Sequence, residues 1–108
     1  MSYEILKRAI ETRHSLTGVY DDYVRFFSPH ILGRVASGEP SVLCFQYGGG
    51  QPTGRLPPGG AWCVFAVSRL RQVEPSGDAW SVGRPESKPS HLMAEIDVDS
   101  SDDERMRP

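Results

Sequence analysis

The chain has 108 residues and a formal net charge of -2 at pH 7. That length suits one domain with a small core, which a helix or a dimer interface would help to complete. The N-terminal stretch mixes acids and bases among its apolar residues, which argues against a signal peptide, and no apolar run reaches a membrane span, so a cytoplasmic location is expected.

Charge divides at Gly77. Eight Lys/Arg stand against six Asp/Glu before it, and four against eight from there on. A mildly basic domain over residues 1–76 therefore precedes an acidic, Ser/Pro-rich tail over 77–108, expected to be largely disordered.

Residues 3–14, YEILKRAIETRH, place Ile5, Leu6, Ala9 and Ile10 on one stripe at helical spacing. This predicts an amphipathic helix of about three turns with Ser2 positioned to cap it. The period then changes. Leu16 to Tyr20 and Tyr23 to Ser28 are β-rich runs around Asp21-Asp22, a natural two-residue turn. Pro29 is expected to interrupt the hairpin, with HILGRV following as a separate short strand. SVLCFQY (41–47) reads as the clearest strand, with Leu43, Phe45 and Tyr47 on one face and Val42, Cys44 and Gln46 on the other. AWCVFAVSRLRQVE (61–74) reads as its partner, with a break at Ser68-Arg69 where two strands meet at a corner. Within the tail, HLMAEIDV (91–98) carries enough apolar residues to add an edge strand.

Between the two central strands lies YGGGQPTGRLPPGG (47–60). Part of it approaches the phosphate-cradling G-x-x-x-x-G-K-[ST] loop, but Arg55 and Leu56 stand where Lys and Ser/Thr are required, and Pro57-Pro58-Gly59-Gly60 follows where a helix must begin. It reads as a hairpin connection in which Arg55 is the only charge. Cys44 and Cys63 lie three residues outside this loop on either side, so a symmetric hairpin sets them opposite each other. Reduced thiols are the expectation in a reducing cytosol. His14, His30 and His91 make no zinc-site spacing with them, so no metal or other cofactor is expected.

The whole reads as mainly β (α+β): one helix, then about five short, curved antiparallel strands, a pattern that suits a small barrel better than a sandwich. The order LKRAIETRHSLTGVY, VRFFSPHILGR, a strand ending FQYGGG, and WCVFAVSRLRQVE resembles the WYL domain family over roughly residues 5–76. VLCFQY stands at the segment that names the family without its Trp-Tyr-Leu triplet; Ser68 stands where Asp is frequent, and Leu70 where the pattern has Ile. The resemblance implies an Sm-like, SH3-like five-stranded barrel that binds a small or oligomeric ligand, often nucleic acid, in a basic groove. Larger members carry a DNA-binding winged helix and act as transcription regulators, including in phage defence. This chain is too short for one, so the resemblance implies a stand-alone ligand sensor or accessory module beside a separate DNA-binding or effector protein.

Six residues are candidates for ligand contact. Arg25 alternates with Val24 and Phe26, and is either a solvated strand residue or a ligand contact. His30 and Arg34 belong to the segment that the resemblance marks as PH.LGR; otherwise they read as a hydrogen-bonded structural histidine and an exposed loop arginine. Arg69 interrupts a buried-looking strand and needs a partner or water there. Tyr20 either stacks on a base or fills the core, and Arg55 is peripheral. Arginines beside a tyrosine suit a nucleotide or short single-stranded nucleic acid, with guanidinium groups on phosphate and the ring on a base. A protein–protein module, in which the arginines are merely solvated, is the rival reading. Catalysis has little support, because no nucleophile stands beside a base and Asp21-Asp22 reads as turn chemistry.

Overall fold

The structure, a computed structural model, describes residues 2–52 and 54–101. One helix, α1 (Ser2–Thr12), leads into six antiparallel strands: β1 (Leu16–Tyr20), β2 (Tyr23–Val35), β3 (Pro40–Gly49), β4 (Ala61–Ala66), β5 (Arg71–Pro75) and β6 (Met93–Asp99). Strand order is β4-β3-β2-β1-β5, with β6 added against β2.

Helix α1 turns Leu6, Ala9 and Ile10 to the sheet and leaves Ile5 at its rim, 39% exposed. The Ser2 hydroxyl does not act as the expected helix cap but points to the Leu70 carbonyl, 3.5 Å away. The first hairpin forms as its turn residues dictate. Asp21 and Asp22 adopt φ of 51° and 68°, the left-handed pair that a two-residue hairpin turn needs. Tyr20 then faces Tyr23, and Leu16 faces Phe27.

Pro29 does not end the hairpin; β2 runs through it to Val35. Pairing with β3 steps from Pro29–Cys44 to Ile31–Leu43, so His30 is the extra residue of a bulge. A bulge tolerates a residue without an N–H and bends the strand. A second bulge sets Tyr47 as the extra residue on β3, between the Phe27–Gln46 and Phe26–Gly48 pairs. The bent β2 pairs with β1 over its first half and with β6 over its second.

The corner at Ser68-Arg69 is a 3-10 turn, Val67–Arg69, that carries the chain from β4 directly to β5. These two strands occupy opposite ends of the sheet path, and no ladder joins them among the described residues. The sheet is therefore open and six-stranded, not the closed five-stranded barrel that strand count and length suggested. A single tight turn redirects the chain at this corner without aligning two backbones for pairing.

Strand β3 is buried on both faces. Val42 and Cys44 join Leu6, Ile10, Phe27 and Phe65 in the main core beneath α1. Leu43 packs with Ile31 and Met93 in a second, smaller cluster on the other side. The second cluster exists because residues after Gly77 cover that face. The segment 77–101, expected to lie largely free, instead brings Trp80 against His30 and ends in β6. The edge strand foreseen within 91–98 is present as Met93–Asp99. The acidic residues 102–108 lie outside the described residues.

Candidate ligand-binding site

The turn of the first hairpin brings together Tyr20, Arg25 and Arg69. Strand alternation sends Arg25 to the same side as the core residue Phe27, while Val24 faces solvent at 53% exposure. Arg25 is only 4% exposed, so it is not the solvated strand residue considered above. Its Nε and Nη2 donate to the Tyr20 carbonyl at 3.2 and 2.9 Å, and its Nη1 donates to Gln46 Oε1 at 3.1 Å. Three aromatic rings surround the cation, with Phe65 at 5.3 Å, Tyr20 at 5.6 Å and Tyr23 at 5.8 Å from the guanidinium carbon. Neutral acceptors and ring faces offset much of the cost of removing this charge from water. Among the described residues no carboxylate pairs with it.

Arg69 approaches the same tyrosine from outside. Its guanidinium carbon lies 4.8 Å from the Tyr20 ring centroid, and its Nη2 donates to Asp21 Oδ1. That hydrogen bond raises the Arg69 pKa above its ordinary value. Its side chain remains 58% exposed. Arg71 lies 4.0 Å from Asp22 at the same turn. Two guanidinium groups, Arg69 and Arg71, thus meet the two carboxylates of the turn, while Arg25 lies behind the Tyr20 ring without one among the described residues. Tyr20 itself is anchored: its hydroxyl accepts from the Ala66 N–H at 3.0 Å, and its ring packs on Phe65 with centroids 4.4 Å apart.

Gln46, a polar residue within an otherwise apolar strand face, organises this mouth. It is fully buried; Oε1 accepts from Arg25, while Nε2 donates to the carbonyls of Gly48 at 2.9 Å and Gly50 at 3.1 Å. The glycine run therefore ends as a fixed shoulder beside the site. A Cβ on Gly50 would stand 2.6 Å from the Tyr23 ring, so the backbone approaches that ring as only glycine allows. The available signal was a polar residue sharing the strand face of Val42 and Cys44.

The other candidates lie elsewhere. His30 is 2% exposed, stacked on Trp80 at 4.3 Å and edge-on to Trp62 at 4.9 Å. Its Nε2 meets the Ser81 carbonyl at 2.8 Å, which requires the proton on that nitrogen. Burial pulls its pKa down to about 4. Arg34 sits at the far end of β2 and donates from Nη1 to the Gly38 carbonyl at 2.7 Å. Arg55 is exposed in the connection between β3 and β4, where its carbonyl accepts from Gln51 Nε2 at 3.1 Å.

Among the described residues no group of three or more His, Cys, Asp or Glu is arranged to hold a metal ion, and no helix is long and apolar enough to cross a membrane. Comparison with family models, curated proteins and solved structures gave no match.

Proposed function

We propose that the chain is a non-enzymatic, WYL-like regulatory or accessory module that binds a nucleotide or short single-stranded nucleic acid at the mouth formed by Tyr20, Arg25 and Arg69. The observation that carries this reading is that two guanidinium groups lie against one tyrosine ring while only Arg69 has a carboxylate partner among the described residues. Arg69, 58% exposed, is the fork that can reach phosphate oxygens, while buried Arg25, its Nε, Nη1 and Nη2 already donating to Tyr20 and Gln46, adds positive charge behind it. Tyr23, 40% exposed beside Arg25, offers a ring for a base. The strand order, with a 3-10 turn between its two ends, supports an Sm-like, SH3-like arrangement left open at the β4–β5 corner. His30 and Arg34 do not join the site in this reading, and Arg55 is a peripheral arm.

Thermal unfolding in the presence of nucleotides and single-stranded oligonucleotides tests the proposal, because a ligand that binds only the folded state raises the midpoint. A concentration-dependent rise is expected, lost in Arg69→Ala. No shift with any of these ligands would contradict it.

A second reading, a protein-docking module, is favoured by one observation. An apolar groove of about 630 Å³ runs between α1 and β5, lined by Ile5, Ala9, Leu16, Val73 and Pro75. A stable partner in pull-downs that is lost in Ile5→Asp, together with no thermal response to nucleic acid, would establish that reading instead.

A further inference from the structure

We infer that Cys44 and Cys63 form a reversible disulfide that staples β3 to β4 and resets the contact between Gln46 and Arg25. The two residues are register partners on antiparallel strands. Such partners stand ~4.5–5.5 Å apart at Cα with side chains on one face. That separation falls inside the ~4.4–6.8 Å range a disulfide spans. Both thiols are free in this structure, Cys44 buried and Cys63 half-buried. An oxidant from solvent therefore meets Cys63 first.

With a peroxide as oxidant, the Cys63 thiolate attacks one oxygen and the O–O bond breaks. The departing oxygen takes up a proton and leaves as water, or as an alcohol from an alkyl peroxide, and Cys63 becomes a sulfenic acid. Cys44 then gives up its proton and attacks the Cys63 sulfur; the S–O bond breaks and water leaves. Two electrons pass from the thiol pair to the peroxide, and one S–S bond has formed. A small dithiol reverses the step by exchange. Burial raises both thiol pKa values, so the pair answers sustained rather than brief oxidation.

The link to the site runs through Gln46. Cys63 Sγ lies 3.7 Å from Gln46 Oε1 and 3.8 Å from the Ala61 carbonyl, and its single hydrogen serves one of them at a time. The same Oε1 accepts from Arg25. Disulfide formation removes the thiol hydrogen and draws the sulfur towards Cys44. Oε1 is then left to Arg25 alone among the described residues, which tightens the bond that already holds the guanidinium inward and makes it less able to shift towards a ligand. Weaker ligand binding follows, a consequence that rests on the function proposed above.

The test treats the full chain with hydrogen peroxide and reads three quantities. Intact mass should show the loss of two hydrogens, reversed by dithiothreitol and absent in Cys63→Ser, a half-buried and sterically mild change. The NMR signals of the Gln46 side-chain amide and Arg25 Nε–H should shift on oxidation of the wild type and stay fixed in treated Cys63→Ser. Oligonucleotide affinity should fall several-fold in the oxidised form. Two thiols that remain titratable, oxygen adducts on Cys63 without an S–S bond, or a disulfide that leaves both NMR signals unmoved would overturn the inference. If the reduced protein binds no oligonucleotide, the proposed function fails, while mass and NMR still decide the disulfide.

Discussion

Trp80 stacks on His30 with ring centroids 4.3 Å apart, and its indole N–H donates to the Pro29 carbonyl at 3.0 Å. This pair fastens the polar segment after Gly77 to the bulge of β2. Ser81 completes the joint: its carbonyl meets His30, and its N–H donates to the Ser28 hydroxyl at 2.9 Å.

The joint makes stability depend on pH. Folded His30 stays neutral down to about pH 4, against an ordinary value of 6.5. Between those values the unfolded chain binds the extra proton. The His30 contribution is therefore fully present above about pH 6.5, is lost as pH falls through the window, and levels off below about pH 4. Its full size is about 3 kcal/mol. Carboxylates titrate nearby, so the measurement is the difference in urea stability between wild type and His30→Phe across pH 4–7. The wild type should fall more steeply; parallel curves would contradict the account.

Gly33 governs the docking of β6. A Cβ there would run into the Glu95 carbonyl across the β2–β6 pair. Gly33→Ala should displace β6, destabilise the fold by about 2 kcal/mol or more, and accelerate amide exchange over 93–99 while β1 and β3 stay protected. Unchanged protection in β6 would show that the strand is not held as described.

Arg25→Met keeps an apolar stem in the core but removes the donors to the Tyr20 carbonyl and Gln46 Oε1. Loss of these bonds should cost about 1–3 kcal/mol in denaturant unfolding. Arg25→Lys restores charge but not the fork, so its stability should fall between the two. A fully stable Met variant would mean that the buried guanidinium contributes no net structure.

Local patterns made much of this fold legible. Asp21-Asp22 announced the hairpin, Ser68-Arg69 the corner, and Cys44 and Cys63 their register. Pro29 was misread because a proline in a bulge looks, in sequence, like a strand end. The docking of 77–92 was hidden because its anchors, Trp80 on His30, Ser81 on Ser28 and Arg84 on Gly60 and Pro58, are scattered through a run of Ser, Gly and Pro. Within the site, hairpin and corner geometry brought Tyr20, Arg25 and Arg69 together, as their strand positions allow. The bulge took His30 away from that mouth into a buried contact with Trp80 and Trp62, and the buried organiser Gln46 gave no signal beyond its place in an apolar alternation. Closure of the sheet was not legible, since it depends on whether two strand backbones align across one turn.

The most direct test of the central claim is fluorescence polarisation of a labelled single-stranded oligonucleotide across a salt series, with wild type, Arg69→Ala and Arg34→Ala. Binding should weaken steadily as salt rises, in the manner of phosphate contacts. Arg69→Ala should lose about tenfold in affinity, the scale of a charge-assisted hydrogen bond. Arg34→Ala, remote from the hairpin mouth, should match wild type. Affinity that ignores salt, or that survives unchanged in Arg69→Ala, would contradict a phosphate-binding site at Tyr20, Arg25 and Arg69.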